Sequence, residues 1–264
     1  MFPDMTVATK TILIFDDRES RIHCFEYEKA LVQTFGQTNL NIVKANRHDF
    51  QRCLIDSAPS IVILPEILGE ESFYSRHISM DCQNHLKSYV ANGGMLVTSC
   101  ASTYWMGESV IYNPPKGATK FRTGNHVFNA AALKMYGPVP GLWRPSNGKP
   151  DIGGCSEIEI SVHTSDGLVS ETIWYGNGPC ILPYKSDSLP AHVKPLAYYK
   201  GVEDNPVAAA SVKLGKGQIL MAGPLPHYWA GNVQSNNMLW RVMSHRMHKQ
   251  LFALSAPTMV SVPA

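Results

Sequence analysis

The stretch Gly93–Trp105, GGMLVTSCASTYW, decides how this chain is read. Met95–Ser99 has the length and apolar character of a buried strand, and the paired glycines before it end a preceding helix. Cys100 follows at once, between small residues that lead into a helix-like segment. A side chain on so sharp a strand-to-helix turn is lifted above the sheet, and the turn demands small residues two positions away on each side, here Thr98 and Ser102. Two readings of Cys100 stay open: a nucleophile presented at an elbow, or a buried thiol closing a core strand.

Working outward, Thr11–Phe15 (TILIF), Leu40–Val43 and Ile61–Leu64 (IVIL) are further β-like runs. Cys24, Tyr27, Leu31 and Phe35 recur at helical spacing after a possible cap at Ser20, ending near Gly36. Phe50, Leu54 and Ile55 mark a short helix, and Cys82, Leu86, Tyr89 and Val90 a longer one that Gly93 terminates. The order strand-helix, repeated to the strand before Cys100, predicts a parallel sheet covered by helices on both faces. From about Asn113 the texture turns Gly/Pro-rich and reads as turns and loops. Alternating strands follow at Ile158–Val162, Leu168–Tyr175, Pro195–Tyr199, Val207–Leu214 and Gln218–Ala222, expected as antiparallel or mixed additions. A helix from Val233 to Phe252 closes a single α/β domain over residues 1–252, with 253–264 expected as a loose tail.

The bulk numbers narrow the function. At 264 residues, 44% hydrophobic and 17% charged, the chain has globular composition. Its 23 basic and 21 acidic residues are scattered, leaving a formal charge of +2 and no basic stripe for nucleic acid. No stretch approaches the roughly 20 apolar residues of a membrane span. The first residues lack a signal-peptide pattern, so a cytoplasmic location is expected. Six cysteines stand singly, with no zinc-ligand spacing, so reduced thiols are expected and no metal site is assigned. No cofactor motif occurs; LGKGQ at Leu214–Gln218 reads as a turn between strands.

Candidate site residues cluster at the ends of the parallel strands, where open α/β sheets bind ligands. Cys100 is the candidate nucleophile, with amides near Cys100 and Ala101, next to Ser102, as oxyanion donors. Tyr104 can line a pocket or fill core. Asp16 and Asp17 can hold a polar substrate or a cation, or form a solvated, helix-starting acidic turn, and the solvated turn is favoured. Glu66, after Pro65, can be a general acid or a loop charge, and the loop charge is favoured. Gly176-Asn177-Gly178 can shape a pocket wall or make a hairpin turn. His227 can serve as base or be a partly exposed loop histidine. In an extended segment it would point to the same side as Leu225, two residues earlier, with Tyr228 as a possible orienting group.

The same stretch resembles the segment GGxYLGFCAGAYY in the N-terminal domain of eukaryotic biotin-protein ligases, a class I glutamine amidotransferase-like domain that also occurs as stand-alone bacterial proteins. Three further segments agree in order: ALKMYGPVPGL at Ala132–Leu142, TIWYGNGPCIL at Thr172–Leu182, and Pro195–Tyr228, which is similar to that family's closing GkG…HPEY segment. The resemblance implies a flavodoxin-like fold. It places the family's cysteine on Cys100, its flanking glycines on Thr98 and Ser102, and its Pro-Gly-Gly on Pro65-Glu66-Ile67. Its histidine falls on Leu225. Base and oxyanion positions are both changed, so the resemblance implies a module that binds a small molecule or a protein with degraded catalytic machinery; the alternative is a hydrolase or amidase using Cys100. No GRGRxGR-like adenylate loop occurs, and biotin ligation is not expected.

Overall fold

A computed structural model describes residues 10–37, 40–67, 73–114, 118–142, 155–230 and 237–252. The first half is the alternating unit expected: β1 (Lys10–Phe15), α1 (Arg21–Phe35), β2 (Leu40–Ala45), α2 (Phe50–Asp56), β3 (Ile61–Leu64), α3 (Phe73–His77), α4 (Met80–Ala91), β4 (Met95–Ser99) and α5 (Ala101–Trp105). Strands β2, β1, β3 and β4 run parallel in that order, and β13 (Gly217–Ala222) adds parallel to β4.

Strands β1, β3 and β4 are apolar on both faces because both faces are covered, whereas β2, at the sheet edge, is only partly buried. Leu13 and Phe15 of β1, Val62 and Leu64 of β3, and Leu96 of β4 pack on one side with Phe50, Leu54, Leu86 and Val90 of α2 and α4. Ile12 and Ile14, Ile61 and Ile63, and Met95 and Val97 pack on the other, against Tyr27 and Leu31 of α1 and Met243 and Met247 of α7 (Met238–Phe252). Full burial of each such side chain contributes about 1.5–3 kcal/mol against the entropy of ordering it.

Beyond β13 the sheet turns antiparallel through β12 (Val207–Leu214) to β10 (Cys180–Pro183) and β7 (Leu133–Gly137), with β5 (Ser109–Tyr112) and β6 (Lys120–Thr123) at its edge. A side branch from β12 carries β11 (Val193–Tyr199), β8 (Ser156–Thr164) and β9 (Gly167–Tyr175). The described strands thus form one thirteen-stranded mixed sheet. The Gly/Pro-rich region is less irregular than its composition predicts, since β6 and β7 lie within it. Gly176-Asn177-Gly178 does not make a hairpin: β9 pairs with β8, whereas β10 pairs with β7 and β12. The turn carries the chain between separate parts of the sheet. The expected helix start at Val233 and the tail at 253–264 lie outside the described residues. Among those described, no helix is long and apolar enough to cross a membrane.

Candidate functional site

Cys100 occupies the turn between β4 and α5 with φ 48° and ψ −111°, a conformation L-residues avoid and that costs about 1–3 kcal/mol. Surrounding hydrogen bonds hold it there. Ser102 Oγ donates to Leu64 O at 2.6 Å and accepts from Ser99 N at 2.9 Å, and Thr98 and Thr103 join their hydroxyls at 3.1 Å. Thr and Ser therefore fill the two flanking positions with hydroxyls that bind the turn together. The Cys100 amide donates to Ala222 O at 2.8 Å at the end of β13, and Thr103 Oγ1 donates to the same oxygen at 2.8 Å. This corrects one expectation: the Cys100 amide is committed to the sheet and is not a free oxyanion donor. The Ala101 amide instead approaches the Cys100 sulfur and favours its thiolate.

The sulfur itself is buried and donates to Gly176 O at 3.3 Å, which requires a protonated thiol. Burial pushes its pKa well up, and the nearby Glu66 charge adds to the shift. Gly176 packs closely here. A Cβ on it would stand 3.1 Å from the Cys155 sulfur, 3.6 Å from Leu225 Cδ1 and 3.8 Å from the Cys100 sulfur. Leu225 thus lies against Gly176. Gly178 permits the closest approach: its Cβ would fall 2.0 Å from Gly223 O. The 176–178 segment is a wall over the elbow, and Tyr104, buried beneath it, donates to Asn177 O at 2.9 Å.

His227 is not a loop histidine, and Leu225–His227 does not continue as a strand. His227 opens α6 (His227–Ala230), which turns its ring away from the alternation of an extended chain. It is fully buried, stacks on Tyr27 at 3.8 Å between ring centroids, and brings Nε2 to 3.0 Å from Glu66 Oε1. Glu66 is likewise no exposed loop charge; it is 2% exposed. Its Oε2 accepts from Ser99 Oγ at 2.6 Å, and Ser99 Oγ in turn accepts from Tyr27 Oη at 2.9 Å. His23, from the first turn of α1, brings Nδ1 to 2.8 Å from Glu66 Oε1. The Tyr228 ring lies 4.9 Å from the His227 ring, centroid to centroid, while its hydroxyl hydrogen-bonds His23 Nδ1 at 2.7 Å.

Burial alone would raise the Glu66 pKa, but the imidazoles of His227 and His23 beside it prevail and hold the carboxyl well below its usual range. Both imidazole contacts with Oε1 are at ion-pair distance yet outside hydrogen-bond geometry. Glu66 Oε1 and both ring nitrogens of His227 consequently have no hydrogen-bond partner among the described residues. The candidate donor atoms of His23, Glu66 and His227 all lie within 4.8 Å of one another, the arrangement in which a metal ion could be held.

The acidic turn after β1 is not the solvated surface expected of Asp17. Arg47 Nε reaches Asp17 Oδ2 at 2.6 Å, and its Nη2 reaches Asp17 Oδ1 at 3.0 Å and Glu19 Oε2 at 2.9 Å. The guanidinium hydrogen bonds hold the Asp17 carboxyl well below its usual range. Asp16 faces Arg21 at 4.0 Å. Pro65 contributes its carbonyl, which accepts from Tyr74 Oη at 2.6 Å. Sequence reasoning brought Cys100, Glu66 and His227 to one edge but missed His23, Tyr27, Ser99 and Arg47. One signal was present for His23: α1 starts at the ligand-binding edge, so its first turn faces the site.

The comparisons with known proteins agree with this architecture. A β-galactosidase from Bacillus circulans sp. alkalophilus superposes with a TM-score of 0.54 at 14% identity, over 92% of this chain and 31% of that one. A β-galactosidase from Rahnella sp. R3 gives a TM-score of 0.53 at 14% identity, over 92% and 31%. The chain thus spans about a third of the length of these enzymes. A ThuA-like protein from Bacteroides uniformis superposes with a TM-score of 0.51 at 12% identity, over 93% of this chain and 94% of that one. At such identities these likenesses concern the fold alone. No curated protein sequence matches the chain. The sequence profile described as biotin-protein ligase, N terminal, matches residues 11–254, most of the chain, which therefore belongs to the biotin-protein ligase N-terminal domain family.

Proposed function

We propose that this chain is a small-molecule-binding module on a flavodoxin-like, class I glutamine amidotransferase-like fold, with degraded thiol-hydrolase machinery. The observation that carries the reading is the environment of the Cys100 sulfur. It donates to the Gly176 carbonyl, and His227 is turned to Glu66. A thiol hydrolase needs an imidazole at the sulfur to take its proton, a free oxyanion donor pair, and a thiolate accessible near neutral pH. The Cys100 amide is spent on Ala222 and the thiol pKa is raised, so each requirement is weakened. The ligand is expected at the carboxyl ends of the parallel strands, where buried polar groups converge.

One observation favours a second reading, a cysteine hydrolase or amidase. The strained conformation of Cys100 is the kind retained at functional turns. Alkylation of the native protein by iodoacetamide across pH, read residue by residue by mass spectrometry, separates the two. Under the binding reading Cys100 stays unmodified while half-buried Cys53 reacts. Selective modification of Cys100 below the ordinary thiol pKa of about 8.5, with ammonia release from an amide abolished in Cys100→Ala, overturns it.

A further inference from the structure

A fully buried carboxylate requires either a complete set of hydrogen-bond donors or a positive charge beside it. Glu66 has a donor on one oxygen, from Ser99, and none in proper geometry on the other. Around that second oxygen stand two buried imidazoles, and His227 has no hydrogen bond on either nitrogen among the described residues. We propose that His23 Nδ1, Glu66 Oε1 and His227 Nε2 form a site for a divalent transition metal of the zinc type. Two imidazole nitrogens and one carboxylate oxygen are a donor set such ions favour, with a coordination position left for water or a ligand.

Two of the three edges have the length that coordination sets. Bonds of about 2.0–2.2 Å at angles between octahedral and tetrahedral set ligand atoms roughly 2.8–3.5 Å apart. The measured edges to Oε1 are 2.8 Å from His23 and 3.0 Å from His227, whereas the two imidazole nitrogens are held only within 4.8 Å of each other, so a shared ion draws them to the roughly 3.5 Å that coordination sets. The supporting shell is also in place. Ser99 fixes the far carboxylate oxygen, Tyr27 fixes Ser99, and the face of the same Tyr27 ring fixes the plane of His227. One tyrosine thus orients two of the three donors. The Tyr228 hydroxyl hydrogen-bonds His23 Nδ1 at 2.7 Å, so an ion binding at this nitrogen displaces that hydroxyl from it. His23 lies on α1, Glu66 beyond β3 and His227 on α6, so a bound ion would tie together three separate elements at the strand edge.

The inference deepens the binding-module reading by naming a resident ligand at the same strand edge, and rests on that reading only for the location. Its test uses the untagged full chain purified without chelator: metal content by mass spectrometry, zinc titration against a chromophoric chelator, and the visible spectrum with cobalt(II). The expected result is about one ion per chain and cobalt d–d bands without a thiolate charge-transfer band. His227→Gln and Glu66→Gln should weaken zinc binding by more than the roughly 10–100-fold that loss of an outer-shell partner costs. A wild-type chain that neither carries nor binds zinc overturns the proposal, as does equal zinc affinity in folded His227→Gln. A cobalt–thiolate band overturns it by moving the ion to Cys100 or Cys155. Should the variants not fold, the wild-type stoichiometry and spectrum decide alone. Failure here leaves the Cys100 alkylation result standing, and a reactive Cys100 in a zinc-loaded chain overturns the binding reading while sparing the metal site.

Discussion

The Cys100 elbow and the Glu66 cluster share one edge of the sheet and are built on opposite principles. The elbow is mainly a local device: Thr98, Ser99, Ser102 and Thr103 hold the turn through bonds to one another and to the ends of β3 and β13. The Glu66 cluster is assembled from distant segments, with Tyr228 meeting His23 across 205 positions and Tyr27 meeting Ser99 across 72. The elbow stores backbone strain around a neutral thiol. The cluster confines a charge and surrounds it with groups that stabilise the charge. Conformational strain can be offset by a few neighbouring hydroxyls, but a buried charge needs partners that the local chain does not hold.

If this contrast is right, the two centres respond very differently to truncation. The largest effect is expected for Glu66→Ala, which leaves two imidazoles and Ser99 facing a void. Removing one member of a buried ionic group costs about 3–5 kcal/mol, read as a lowered urea midpoint. Cys100→Ala removes one sulfur and a weak hydrogen bond and should cost about 1 kcal/mol. Equal losses in the two variants would break the comparison. Tyr27→Phe keeps the stack on His227 and deletes the hydroxyl that holds Ser99; a loss of about 1 kcal/mol is expected, with the metal titration weakened as well.

The smallest effect concerns acid. Because Arg47 depresses the Asp17 pKa in the folded chain, the stability this contact supplies is complete above the unfolded carboxyl pKa of about 3.9. It is lost as pH falls from there through the folded value. Asp17→Asn should lower the thermal midpoint at pH 6 and narrow the gap from wild type below pH 4. A gap independent of pH would show that the contact acts through packing alone.

Much of the fold was legible in the sequence because it is written in local periodicity. Ile12 and Ile14 against Leu13 and Phe15 spell a strand buried on both faces, and Cys24, Tyr27 and Leu31 spell the helix laid over it. Cys100 was legible as an elbow since its demand for small flanking residues is met within five positions. The regular strands β6 and β7 were hidden by neighbouring prolines and glycines, whose turn signal outweighs short strands. Glu66 was misread as a loop charge because nothing near it in the chain neutralises it; His227 was misread because a helix begins at it, re-aiming its ring.

By itself the sequence determined the alternation of strands and helices, the parallel half of the sheet, and the place of one thiol on a sharp turn. Each depends on backbone geometry and side-chain period over a few residues. Only the tertiary structure decided that the thiol faces a carbonyl, and that a carboxylate and two imidazoles converge at the same edge. Burial and charge compensation are properties of the space where distant segments meet, and that space exists only once the sheet has formed.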